Sequence, residues 1–413
     1  MSEIKFCEKE LCTGCLACYN ACPHGAISIV TNEEGFVYPE INHVTCLKCG
    51  KCQRACPILK DLKPVGEQFA YKGWAKDKEL VAKSSSGAVF SLLSSQVLNK
   101  GGYVYGAAFD ENLDLRHVCA HTEGEMSILR GSKYVQSFIG DTFKEIKEKL
   151  DNNQLVLFCG TPCQVAGLNS FLGNKEYPKL LTIDLVCHGV PSPKVFKSFK
   201  EWLEHKNNSR ISAYGFRDKK WSWLRFNSNV VFENGNRHYG TWEEDPWMRG
   251  FLREYFLRPS CHHCKFANMN RKGDVTLADY WSYYPKKEEV KNQDTGCSLI
   301  LMNTEKGRNA VDLCKLEMYY YPITLEEVRK CNRALNSCFP ASPKRTEFWE
   351  DYKTMTFDDL IKKYMYPENV SENYRILYKY GRGAWQVKLY NFRKAIKRRI
   401  RNRLSSLLNL IRR

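Results

Sequence analysis

The sequence predicts a small, cysteine-rich α+β module, then a larger α/β domain, then a basic amphipathic helix at the C-terminal end. Three observations point there. Nine of the 19 cysteines fall within the first 56 residues. Strand-like and helix-like segments alternate from Phe69 to Val186, the mark of an α/β sheet. Residues 387–413 hold ten Lys and Arg and no acidic residue, over half of the net charge of +17. With 43% hydrophobic and 26% charged residues, the 413-residue chain reads as globular, with material for two or three domains, and not as disordered or collagen-like. No apolar run reaches the roughly 18 residues of a membrane span. Met1–Lys9 is polar and lacks the apolar stretch of a secretory leader, so a cytoplasmic location is expected. An odd cysteine count in a long chain argues against a disulfide scaffold and for metal.

The front cysteines form two strings, Cys12-x2-Cys15-x2-Cys18-x3-Cys22-Pro23 and Cys46-x2-Cys49-x2-Cys52-x3-Cys56-Pro57. Two-residue gaps let three thiolates converge on one cubic cluster, while the fourth points away and completes the other. One 4Fe-4S cluster is therefore assigned to Cys12, Cys15, Cys18 and Cys56. The second is assigned to Cys22, Cys46, Cys49 and Cys52. Ala26 to Ile41 alternates around a Glu34-Gly35 turn and reads as the hairpin of a ferredoxin-like α+β fold, placing that domain at residues 1–62. Two zinc ribbons are the competing reading, but they have no use for the x3-Cys-Pro endings. Cys7 lies outside both strings as a spare thiol. Neighbouring clusters make an electron relay, so another part of the chain must use the electrons.

From residue 63 the texture changes. Phe69–Ala75 and Tyr103–Phe109 read as strands and Thr142–Leu150 as a helix, forming the first part of the larger domain, 63–150. Ser84-Ser85-Ser86-Gly87 opens a helix over Ala88–Leu98; its free N–H groups suit a phosphate, or the turn is a plain cap. The second part, 151–340, starts with a buried strand Leu155–Phe158, a helix to Leu172 and a strand Leu180–Val186. Cys163 and Cys187 follow these strands, and ligands sit beyond the carboxyl ends of such strands. Together with Cys261 and Cys264 they form either a third metal centre or scattered structural thiols; zinc on Cys261, Cys264 and one of His262 or His263 is a further alternative. Cys119, Cys159, Cys297, Cys314, Cys331 and Cys338 show no ligand spacing and read as buried thiols.

Ordered motifs in these segments carry a family resemblance. They are Ser84–Gly87, Leu129–Ser137 (LRGSKYVQS), Phe158–Leu168 (FCGTPCQVAGL), Asp184–Pro191 (DLVCHGVP), Arg258–Cys264 (RPSCHHC) and Asp274–Trp281 (DVTLADYW), with Gly296-Cys297-Ser298 following. Over roughly residues 4–310 the chain resembles the family of coenzyme F420 hydrogenase/dehydrogenase beta subunits, in the form with an N-terminal two-cluster ferredoxin. The resemblance implies an α/β flavin-binding domain, FAD beside the iron–sulfur clusters, and an oxidoreductase exchanging hydride with a small organic substrate. The alternative is an electron-transfer subunit that delivers electrons to a partner enzyme. The resemblance places Ser85, Ser86 and Gly87 at the FAD phosphate or ribityl, and Lys133 on the flavin side, where a cation favours a reduced, anionic flavin. It also makes Cys163, Cys187, Cys261 and Cys264 ligands of a third cluster. Two positions depart from the family pattern: Ala88 and Ala278 stand where glycine is usual. His188, beside Cys187, reads as a proton donor or cluster-tuning group, or as a structural histidine.

Residues 341–413 read as a helical tail. In its basic end Leu389, Phe392, Ile396, Ile400, Leu404, Leu407 and Ile411 form one apolar stripe. Such a helix suits peripheral attachment to the anionic inner face of a membrane, or docking on the protein itself or an acidic partner subunit. The aliphatic stripe disfavours nucleic acid.

Overall fold

The computed structural model describes residues 4–61, 66–220, 223–224, 226–282 and 295–366. The front module is built on a hairpin, β1 (Ile27–Thr31) and β2 (Val37–Ile41), with Ile27 opposite Ile41. Gly35 in its turn has φ +84°, and an added Cβ would stand 2.3 Å from Lys194 Cβ. Only glycine meets both demands. The approach is close because the hairpin tip lies on the start of the helix Pro193–Asn207. There Lys194 Nζ donates to Glu33 O at 2.8 Å, Ser192 Oγ donates to Glu34 O, and Arg345 pairs with Glu34.

The larger body contains β3 (Phe69–Ala75), β4 (Tyr103–Phe109), β5 (Leu115–Ala120), β6 (Val156–Gly160), β7 (Leu180–Leu185), β8 (Ile211–Asp218), β9 (Asn227–Phe232), β10 (Arg237–Thr241), β11 (Val275–Asp279), β12 (Ser298–Met302) and β13 (Met318–Ile323). Eight of these form one sheet in the order β13-β3-β12-β11-β7-β6-β4-β5. Its centre, β11-β7-β6-β4, is parallel. These strands read as nearly continuous apolar runs because both faces are covered. The flanks are antiparallel, so the sheet is mixed. Strands β8, β9 and β10, which carry no motif, make a separate antiparallel sheet in the order β10-β9-β8. Segments 63–150 and 151–340 share the main sheet, since β3 pairs with both β12 and β13.

Helices Val89–Leu98, Thr142–Asp151 and Pro162–Phe171 fall where the alternation predicts them. Beyond residue 340, Phe348, Trp349, Leu360, Ile361, Tyr364 and Met365 pack into the core with Phe199, Trp247 and Phe256. This stretch belongs to the body. The predicted basic helix at 387–413 lies outside the described residues. Among the described residues no helix is long and apolar enough to cross a membrane.

A buried ion pair ties the middle of the sheet to the loop that follows the Cys261-Cys264 turn. Asp184 on β7 and Arg271 are 3.2 Å apart, with side chains 0% and 1% exposed. Asp184 also accepts from Lys272 N at 2.9 Å and Gly273 N at 3.1 Å. Removing one partner of such a pair strands the other charge in a low-dielectric core. Asp184→Ala is therefore expected to lower stability by about 3–5 kcal/mol, read as a fall in the denaturant midpoint of the purified protein.

Candidate functional site

The two cysteine strings fold into matching loops. In the first, Gly14 and Leu16 have φ +67° and +57°; in the second, Lys48 and Gly50 have φ +53° and +71°. The left-handed positions thus recur at the same places in both strings. Such turns aim successive backbone N–H groups at one point, a cradle suited to anions. Each loop leads into a short helix, Ala17–Asn20 or Lys51–Ala55. Cys12, Cys15, Cys18 and Cys56 surround one void, with Cys7 beside them. Cys22, Cys46, Cys49 and Cys52 surround the other. Cys7 is within hydrogen-bond reach of Cys12 and Cys56 and is the main reason both thiols fall to about 6. The outer void reaches the surface, for Cys49 is exposed and Leu47 is 66% exposed.

Four later cysteines meet in the interior. Cys163 stands in the first turn of the helix Pro162–Phe171, with Thr161 Oγ1 3.1 Å from its sulfur. Cys187 follows β7, while Cys261 and Cys264 lie in and after the tight turn Pro259–His263. Burial raises all four thiols, to about 12 for Cys261 and about 11 for Cys264, and Cys187 is raised further by its three companions. They would give up protons here only to a cation. His262 Nδ1 contacts Phe339 O at 3.1 Å. Among the described residues no three His, Cys, Asp or Glu side chains are arranged for a single metal ion. One tetrahedral ion would draw its sulfurs to within roughly 4 Å of each other; a four-iron cube is larger. Cys15 of the inner quartet adjoins Cys163 electrostatically. A Cβ on Gly167 of the same helix would stand 3.0 Å from Cys15 Sγ. Of the remaining cysteines, Cys297, Cys314 and Cys331 are buried as expected. Cys119 is exposed, because it sits on an outward-facing position of the edge strand β5.

A cavity of about 650 Å³ opens next to this quartet, and Cys187 and His188 line it. Ser85, Ser86 and Lys133 also line it; Gly87 does not. Gly87 is needed for packing instead, since a Cβ there would meet Gly73 O at 2.3 Å. Ser85 Oγ accepts from Ser132 N at 2.6 Å, and Ser86 Oγ donates to Cys297 O at 2.9 Å. The serines therefore shape the loop with their hydroxyls and present the first turn of Val89–Leu98 to the cavity. Ala88, at φ +67°, holds the left-handed conformation that makes glycine usual there. Burial pushes Lys133 down to about 7, but its Nζ donates to Ala107 O, Ile128 O and Arg130 O, each at 2.9 Å. Three acceptors need all three ammonium hydrogens, so the geometry keeps the proton on. Lys133 is thus committed to carbonyls of β4 and of the segment just before its own position, and is not a free cation aimed at a ligand.

The structure adds residues that sequence reasoning missed. Arg217 is buried and pairs with Asp279 at 2.7 Å behind the serine loop. His117 is joined to Gln164 through Ser137: Gln164 Nε2 donates to Ser137 Oγ at 2.9 Å, and Ser137 Oγ lies 3.0 Å from His117 Nδ1. Ser137 and Gln164 stand in motifs, but His117 and Arg217 have no local signal. Aromatic residues Phe226, Trp242, Phe251, Trp281 and Phe339 form the apolar wall. His188 stacks on Phe339 at 3.7 Å and contacts Glu254 at 3.1 Å.

Comparison with known proteins finds matches to both parts of the chain. Residues 153–327 match the family model for the C terminus of the coenzyme F420 hydrogenase/dehydrogenase beta subunit, and residues 11–58 match a 4Fe-4S dicluster domain. The chain thus carries the C-terminal domain of coenzyme F420 hydrogenase/dehydrogenase beta subunits behind a 4Fe-4S dicluster domain. It is similar to a subunit of the F(420)H(2) dehydrogenase of Methanosarcina mazei, 26% identical over 335 residues that cover 75% of this chain and 84% of that one. It is also similar to a chain of the F420-reducing NiFe hydrogenase complex from Methanosarcina barkeri, with a TM-score of 0.46 and 19% identity, covering 72% and 95%.

Burial lowers His117 to about 4, so its ring is neutral near pH 7. Unfolding returns it to about 6.5, where the unfolded chain takes up a proton that the folded one does not. Stability is then lost as the pH falls from 6.5 toward 4, by about 3 kcal/mol at most. The melting temperature of the wild type is expected to drop more steeply between pH 7 and 5 than that of His117→Gln.

Proposed function

We propose that this chain is an iron–sulfur flavoprotein oxidoreductase, passing electrons between 4Fe-4S clusters and FAD and then, by hydride transfer, to or from a small organic substrate. The observation that carries this reading is the position of the interior thiol quartet. Its Cys163 adjoins the inner ferredoxin quartet and its Cys187 lines the cavity. Bound clusters would supply one-electron relays, and FAD the exchange between single electrons and hydride. Cys12, Cys15, Cys18 and Cys56, then Cys22, Cys46, Cys49 and Cys52, are the proposed ligands of the front clusters, and Cys163, Cys187, Cys261 and Cys264 those of a third. For FAD the loop Ser85-Ser86 and the first turn at Val89 offer unpaired N–H groups to a phosphate, and Arg130 stands beside them on Ser91 at 3.2 Å. Lys133 supports this site by pinning the loop that carries Arg130. The aromatic wall excludes water, and Glu254 orients His188 at its edge. A reducing compartment, the cytoplasm, suits so many free thiols.

One finding favours a second reading. The Methanosarcina mazei relative is named as a subunit of a dehydrogenase, so this chain would serve a partner enzyme with no substrate of its own. The basic tail would then offer a docking surface to an acidic subunit or an anionic membrane face.

Protein purified without oxygen is expected to hold about twelve irons and one flavin per chain, the content of three four-iron clusters. Cys187→Ala should fall to about eight irons and show flavin that the front clusters no longer reduce. A zinc-only or metal-free wild type would overturn the reading. Turnover of a small acceptor by the isolated chain supports the first version, and turnover only after a partner is added supports the second.

A further inference from the structure

Among the described residues three arginines are buried in the larger body, and they are not alike. Arg217 and Arg271 face carboxylates, Asp279 at 2.7 Å and Asp184 at 3.2 Å. Arg258 is 0% exposed and, among the described residues, pairs with no carboxylate. Its Nε donates to Cys12 O at 2.7 Å, its Nη2 to Val37 O at 3.0 Å and its Nη1 to Gln136 Oε1 at 3.0 Å. Its guanidinium lies 4.3 Å from the centre of the Tyr38 ring. Every acceptor is neutral. The room for it depends on Gly14, where a Cβ would stand 2.7 Å from Nη1. A buried cation with no counter-charge is strongly unfavourable.

The contacts of Arg258 run to the loops of both inner quartets. Its Nε bond holds the Cys12 loop, and its own carbonyl accepts from Cys261 N at 2.9 Å at the start of the turn that leads to Cys264. We propose that Arg258 is the fixed counter-charge of the inner ferredoxin cluster and the interior centre, a positioning residue that fastens the Cys12 loop to the larger body and raises the reduction potential of both. This rests on the reading that both quartets hold clusters. A cluster bound by four thiolates is anionic and gains a further negative charge on reduction, so a nearby cation in a low-dielectric site favours the reduced form. Arg258 has no direct contact with the outer quartet.

The test is a redox titration of the full-length, cluster-loaded protein followed by electron paramagnetic resonance, with iron measured in each sample. Arg258→Met and Arg258→Gln remove the charge; Arg258→Lys keeps it and loses the three-armed fork. The neutral variants are expected to lower the reduced-to-oxidised ratio of the inner and interior centres about tenfold at a given solution potential, 59 mV for one electron. The outer cluster should not move, and Arg258→Lys should stay within about threefold of the wild type. Loss of iron from both neutral variants, with Arg258→Lys still loaded, would equally mark the charge, because a purely structural fork is lost in all three. Neutral variants that keep their iron and shift no centre, or shift all three alike, would overturn the inference. A wild type with only the two front clusters would remove the interior centre from the proposed function and leave the inner cluster to decide on Arg258.

Discussion

The architecture turns on the contact between the front module and the helix Pro162–Phe171. Cys15 lies against Gly167, where an added Cβ would stand 3.0 Å from Cys15 Cβ and Sγ, tighter than an ordinary contact. That contact places a thiol of the inner quartet beside Cys163 in the first turn of the same helix. Electron transfer falls off steeply with distance, so a relay needs such an approach. The rest of the architecture keeps it in place. The hairpin tip is fastened at Glu33 and Glu34 on one side, and the Cys12 loop is held by Arg258 on another.

The sheet then converts this contact into a line of groups. β6 and β7 run parallel and end at the same edge, so the segments after them put Cys163 and Cys187 together. The Pro259–His263 turn delivers Cys261 and Cys264 to that point. Beyond Cys187 the cavity begins. Its serine loop is held in shape by hydroxyl–backbone bonds, its lysine by three carbonyls, and its histidine by a serine–glutamine chain. Polar groups buried in this way are paired, and a fully paired network is rigid. A rigid cavity next to a thiol cluster suits a resident cofactor.

Charge is handled differently in the two halves of the site. The serine loop lies near a neutralised pair, Arg217 with Asp279, while Arg130 and Lys133 bring positive charge to the cavity lining. Among the described residues Arg258, between the two inner quartets, has no such partner.

Much was legible in the residues alone. The cysteine spacing of 12–22 and 46–56 is a local property, because two-residue gaps constrain a loop wherever it sits, and the apolar runs at 103–109 and 180–185 announce buried parallel strands for the same local reason. What only the tertiary structure decided was every relation between distant segments. Cys163, Cys187 and Cys261 are separated by dozens of residues and carry no shared spacing. Gly87 and Lys133 stand in motifs, yet their duties in packing and loop-pinning depend on Gly73 and on three carbonyls elsewhere. His117 and Arg217 had no signal, since a buried polar residue is explained by its partners. Arg258 looked like the first letter of a motif; its meaning lies in which charges surround it, and that is set by packing.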